Sequence, residues 1–188
     1  MSLLHPVSPD QFRQQPWANG KGHTTELAAG PDPDHWQWRI SMARIEHAGP
    51  FSLFPGVRRQ LAPLDGGLTL CFDDDRESTA RRLQVLDFDG GRRVHCRLPD
   101  GPGRDLNLML REGVDGELMA RPLAGTMRLP GRAGQWFVLQ LAGTATVHAG
   151  DEETVLDTGH AVWIRTTADT RVLIEGAGEI ALVHLAVR

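Results

Sequence analysis

Tyrosine is absent from the 188 residues, lysine occurs once, at Lys21, against nineteen arginines, and cysteine occurs only at Cys71 and Cys96. Two cysteines so far apart, with no CxxC, exclude a disulfide framework and a thiolate zinc cluster. No apolar run approaches the roughly 18 residues needed to span a bilayer. The opening MSLLHPVSPDQF lacks the basic and apolar regions of a signal peptide, so no membrane partner and a cytoplasmic location are expected. A net charge of -4, with acids and bases interspersed, offers no positive surface to a phosphate backbone, so no nucleic acid partner is expected either. Also missing are a GxGxxG or Walker loop and a Gly-x-Ser-x-Gly elbow.

What is present is turn chemistry and alternation. Twenty-one glycines and twelve prolines break helices about every ten residues, which suits short strands and predicts an all-β chain. In WQWRISMA, Trp36, Trp38, Ile40 and Met42 fall on one face of a strand and Gln37, Arg39, Ser41 and Ala43 on the other. Further predicted strands include 57–64, 68–72, 81–88 and 92–98. Near the C-terminus the pairs 118–123 and 126–129, 135–141 and 144–148, and 171–175 and 180–187 each read as two strands around a turn. A short helix is predicted over 9–15, and a break near 113–117 divides a first half, 1–115, from a second, 116–188. The second half has the strand, turn, strand order of a cupin jelly roll.

A cupin metal centre would need a His-x-His pair, and the eight histidines contain none. His148, His160 and His184 form the one triad worth weighing, and they read as ordinary strand-end or core histidines; no metal and no cofactor are expected. Asp73-Asp74-Asp75 fails as a calcium loop because Ser78 stands where a glycine is needed.

The polar residues concentrate in the first half. Trp17-Ala18-Asn19-Gly20-Lys21-Gly22-His23-Thr24, Trp38-Arg39-Ile40-Ser41, the stretch Gly49-Pro50-Phe51-Ser52-Leu53-Phe54-Pro55-Gly56-Val57-Arg58 and Asp105-Leu106-Asn107-Leu108-Met109 form four linked segments. In content and order they resemble the WxNGxGxT, WRxS, GPFSxFPGxxR and DLNxM segments of the HutD/Ves family, spaced over nearly the whole of the first two thirds of the chain. That family usually carries glycine where this chain has Lys21. The resemblance implies a bicupin, two jelly-roll halves of the RmlC-like cupin class in one compact chain. It also implies a role in histidine utilisation, with a pathway intermediate such as urocanate or formylglutamate as ligand.

The residue chemistry suits a small carboxylate. An arginine fork, Arg39 or Arg58, would hold it. Asn19, Thr24, Ser41 and Asn107 would make neutral contacts, Trp17 an apolar wall, and Lys21 an accessory cation at the mouth. Trp36, Trp38, Phe51 and Phe54 are read as core. A buried arginine without an internal carboxylate is costly, and a bound anion is its natural partner. The leading expectation is therefore a non-enzymatic carboxylate-binding cupin. The rival is a cupin enzyme, metal-dependent or using His23, Lys21 or Asp105 as acid and base. Exposed sheet edges make a homodimer an open expectation.

Overall fold

Frequent glycine and proline leave little room for helix, and the computed structural model, which describes residues 2–16 and 23–186, is built almost wholly of strands. They are β1 (Leu4–Val7), β2 (Arg13–Pro16), β3 (His23–Gly30), β4 (Trp38–Ile45), β5 (Gly49–Pro50), β6 (Val57–Pro63), β7 (Leu68–Phe72), β8 (Glu77–Ala80), β9 (Leu86–Asp89), β10 (Val94–Arg97), β11 (Gly103–Arg111), β12 (Gly116–Arg128), β13 (Gly134–Ala149), β14 (Glu152–Asp157), β15 (Ala161–Thr166) and β16 (Val172–Leu185). The helix expected over 9–15 contracts to a 3-10 turn, Pro9–Gln11, because the following residues form β2, pairing Arg13 with Glu26 and Gln15 with Thr24 of β3. No helix of the described residues is long and apolar enough to cross a membrane.

The chain divides into two compact units, Phe12–Val114 and a second made of Met1–Gln11 with Asp115–Arg188. The first residues thus belong with the second half rather than the first, because β1 pairs with β15 along Leu4↔Ile164 to Val7↔Ala161.

The C-terminal unit is one six-stranded sheet, ordered β1-β15-β13-β16-β12 with β14 on β13. Its three long strands were each read from the sequence as two. The glycines between those halves do not end the strands. Gly143 pairs with Gly178, and Gly176 with both Ala145 and Gly125. A Cβ on Gly178, Gly143 or Gly176 would overlap the carbonyl oxygen of Ala142, Ala177 or Thr144 respectively. Gly178 and Gly143 also take positive φ, 123° and 79°. These glycines form a crease where backbones approach closely, beside the bulge between Gln140 and Ala142. The interior is apolar: Leu4, Leu123, Trp136, Val138, Val147, Leu156, Val162, Ile164, Ile174, Ile180 and Leu182 are buried in one cluster.

The N-terminal unit has two sheets, β2-β3-β4-β11-β6-β9 and β5-β10-β7-β8. Of the stretch 81–88, expected as one strand, only 86–88 is strand, within β9, and 81–85 is the turn that carries the chain from β8 on β7 to β9 on β6. A cluster of Ile45, Leu61, Leu68, Leu70, Phe88, Val94 and Cys96 packs one sheet on the other. Register fixes what else shares that inner face. Ala43 opposes Asp105, Ser41 opposes Asn107, and Arg39 and Arg59 flank Met109 from either side of β11. Because side chains alternate, these residues all point the same way as Leu61 and Ile45.

Candidate functional site

The inner face of the N-terminal sheet β2-β3-β4-β11-β6-β9 is unusual in what it buries. Glu26, Ser41, Arg59, Asp105 and Asn107 all lie at 6% exposure or less. With Gln15, Thr24, Arg39, Ala43 and Met109, and under the loop Pro50–Phe54, most of them line a cavity of about 360 Å³. That volume lies at the lower end for small-molecule sites, so it suits a ligand of metabolite size.

Two arginines, Arg59 buried and Arg39 partly buried, approach this cavity and differ in what they are bonded to. Arg39 on β4 donates from Nε to Glu26 Oε2 at 2.8 Å and from Nη2 to Gln15 Oε1 at 2.6 Å. Gln15 in turn donates to Glu26 Oε2 at 3.3 Å. Its charge is thus met inside the sheet, by Glu26. Arg59 on β6 is held differently. Nη2 donates to Asn107 Oδ1 at 2.7 Å, while the guanidinium carbon stands 5.0, 5.6 and 5.2 Å from the ring centres of Phe51, Phe54 and Phe88. Among the described residues no carboxylate comes within ion-pair distance of it, and its Nε is buried without a hydrogen-bond partner. Three aromatic faces offset part of the cost of burying this charge but neutralise none of it.

Asp105 lies on the same face as Asn107, two residues along β11, with its Oδ1 also buried and unpartnered. Burial pushes its carboxyl up to about 6, against the lowering pull of the Arg59 guanidinium and of hydrogen bonding from Asn107 and the Ala43 backbone. Burial likewise pulls Arg59 down to about 10, which leaves it charged at neutral pH. Chemically the cavity offers a fixed cation with a free donor, a carboxyl that titrates near neutrality, and neutral hydroxyl and amide groups.

Of the residues expected to contact a ligand, Thr24, Arg39, Ser41 and Asn107 line one cavity. Trp17, Asn19 and Lys21 lie outside the described residues. Arg58 is a correction: it points to the opposite face from Arg59, is more than half exposed, and is paired with Asp87. Phe51 and Phe54, expected in the core, line the cavity, and Phe51 also packs against the core cluster. Arg59 itself, adjacent to the arginine the sequence reading chose, was missed. Its only signals were the Arg58-Arg59 pair and the phenylalanines just before it. His148 and His184 do not converge, since His184 opposes Trp136, twelve residues before His148 on β13. His148 sits instead beside Glu153 and Glu175, and among the described residues no group of three or more His, Cys, Asp or Glu is placed to hold a metal ion.

Comparison with known proteins agrees with this architecture. The chain is 35% identical to an uncharacterized 21.2 kDa protein in the hutC 3' region of Pseudomonas putida, over 58% of this chain and 59% of that one. It is 30% identical to protein Ves of Cronobacter sakazakii over 87% and 88% respectively. The fold superimposes on a conserved protein of unknown function from Pseudomonas aeruginosa PAO1 with a TM-score of 0.89 at 25% identity, covering 99% and 100% of the two chains. On HutD from Pseudomonas fluorescens SBW25 the TM-score is 0.79 at 26% identity, over 98% and 99%. A cupin 2 conserved barrel domain protein from Leptotrichia buccalis, 9% identical, shares the fold at a TM-score of 0.56 over 98% of each chain, which marks the all-β architecture as cupin-like. The HutD family model matches residues 9–182, and the chain belongs to the HutD family.

Proposed function

We propose that the protein binds a small carboxylate metabolite in the cavity of its N-terminal unit, and that through this binding, as a cytoplasmic protein, it tunes histidine utilisation. One observation carries the reading: Arg59 is a buried cation lining a cavity, its Nε has no partner, and among the described residues no carboxylate lies within ion-pair distance of it. A bound anion would satisfy both the charge and the donor. The context of the relatives, one encoded in a hutC 3' region and one named HutD, supports an intermediate of the urocanate or formylglutamate type. The two compact units, each rich in antiparallel strands, support reading the chain as a bicupin.

A thermal-shift series at pH 6 with urocanate, formylglutamate, glutamate and histidine tests the proposal. Binding raises the melting temperature by linkage, and a flat response to all four at millimolar concentration would sink it. A second reading, acid–base catalysis, rests on Asp105, whose carboxyl near 6 lies where a general acid or base operates. It predicts that a bound compound is converted over hours with protein, which proton NMR would register; an unchanged spectrum removes it.

A further inference from the structure

Arg59 and Asp105 line one cavity, and each holds a buried atom without a partner, Nε a donor without an acceptor and Oδ1 a carboxyl oxygen without a donor. Asn107 stands between them on β11 and is hydrogen-bonded to Arg59. We infer that the ligand carboxylate enters this cavity together with a proton, which is held on Asp105 while the carboxylate sits on Arg59. The inference rests on the carboxylate-binding reading and adds its regulation: occupancy follows pH as well as ligand concentration.

The argument is a charge count. Other charged and titratable groups around Asp105 are already settled. Arg39 on β4 is tied to Glu26 on β3, to which the exposed Arg13 of β2 adds a 3.9 Å contact. The Cys96 thiol on β10 is pushed up to about 12 by burial and is neutral. That leaves one cation, Arg59, and one carboxyl, Asp105. With Asp105 ionised the pair sums to zero, and an incoming carboxylate would place a second anion in a buried site. Two carboxylates sharing such a site hold one proton between them. With Asp105 protonated, Arg59 lacks a counter-ion that the ligand then supplies, and the Asp105 O–H can donate to a ligand oxygen. The balance is one carboxylate and one proton taken from solvent per site, with no bond made or broken.

Calorimetry with N-formylglutamate is a suitable probe, because its own carboxylates do not titrate between pH 6 and 8.5. Titrations at pH 8 in two buffers of different ionisation enthalpy should show about one proton taken up per ligand bound. Affinity should fall about tenfold per pH unit from 7 to 8.5. In Asp105→Asn, which keeps a hydrogen-bond donor, both effects should vanish. Binding by the unaltered protein with no proton uptake and a flat pH profile overturns the inference while leaving the carboxylate site intact. Proton uptake that persists in Asp105→Asn overturns the assignment to Asp105. If the probe fails to bind between pH 5.5 and 8.5, this inference falls, and the four-compound series then decides whether the site itself falls with it. Should Asp105→Asn not fold, the proton count on the unaltered protein still decides the question.

Discussion

The N-terminal unit buries Glu26, Arg59 and Asp105 on the inner face of its larger sheet, whereas the C-terminal unit fills its interior with Trp136, Val138, Val147, Ile164 and Ile174. Both are antiparallel and strongly alternating, so backbone architecture does not account for the difference. Side-chain chemistry on the inward parity of a few strands does. An apolar interior gains stability from every residue it hides. Both units leave buried polar atoms open, Trp136 Nε1, Gln140 Oε1 and His160 Nδ1 in the C-terminal one and Arg59 Nε and Asp105 Oδ1 in the N-terminal one, but the N-terminal pair is a cation and a carboxyl lining one cavity. The contrast separates a part built to pack from a part built to bind, and substitutions should break the two in different ways.

The largest effect is expected at the crease of the C-terminal unit. Gly178→Ala would force a Cβ into the Ala142 carbonyl at a φ of 123°, and should destabilise by about 4 kcal/mol or more. Gly101→Ala, in the N-terminal unit at φ 88° with open space around it, serves as control and should cost about 1 kcal/mol. Urea denaturation of both checks the difference; equal losses would mean that the crease is not closely packed.

Arg59→Met tests the binding unit. Methionine can fill the volume between Phe51, Phe54 and Phe88, so the fold should survive the loss of the Asn107 hydrogen bond at about 1–3 kcal/mol. Carboxylate affinity should fall at least ~30-fold, about 2 kcal/mol. Retained affinity in calorimetry would move the ligand's cation elsewhere, with Arg39 the next candidate.

The units should also respond to pH with opposite signs. Asp105 is raised to about 6 from an ordinary carboxylate value of 3.8, so its contribution to stability is fully present below the lower value and is lost as pH rises through the higher. Lowering the pH from 7 to 4.5 should therefore strengthen the N-terminal unit by about 1–2 kcal/mol. His184, packed 4.7 Å from Trp136 with Nε2 3.2 Å from the Ala133 carbonyl, is held below the ordinary histidine value by burial. A depressed histidine gives stability that is present above 6.5 and lost as pH falls, so the C-terminal unit should weaken over the same range. Hydrogen exchange resolved along the chain would show the divergence, and parallel changes in both units would refute it.

The smallest predicted effect bears on how much of the site could be read from sequence. Strand alternation in 36–43 placed Arg39, Ser41 and Ala43 on one face, and the structure puts them on the cavity wall. That reading worked because the two faces of WQWRISMA differ in polarity. On β6 the same logic had nothing to grip: Val57, Arg59 and Leu61 face the inside, yet Gln60 and Ala62 on the other face are buried as well. With both faces hidden, polarity no longer reports parity, and a slip of one residue selects Arg58 instead of Arg59. The glycine crease was illegible for a related reason, since a glycine that permits close approach and one that ends a strand look alike without the partner strand. Arg58→Ala makes the distinction measurable. Its pairing with Asp87 is about half exposed on both sides, so its loss should cost under about 1 kcal/mol and leave carboxylate affinity within a few-fold. A drop in affinity for Arg58→Ala matching that of Arg59→Met would mean that both arginines hold the ligand, and that the inward parity of β6 does not decide which side chain binds.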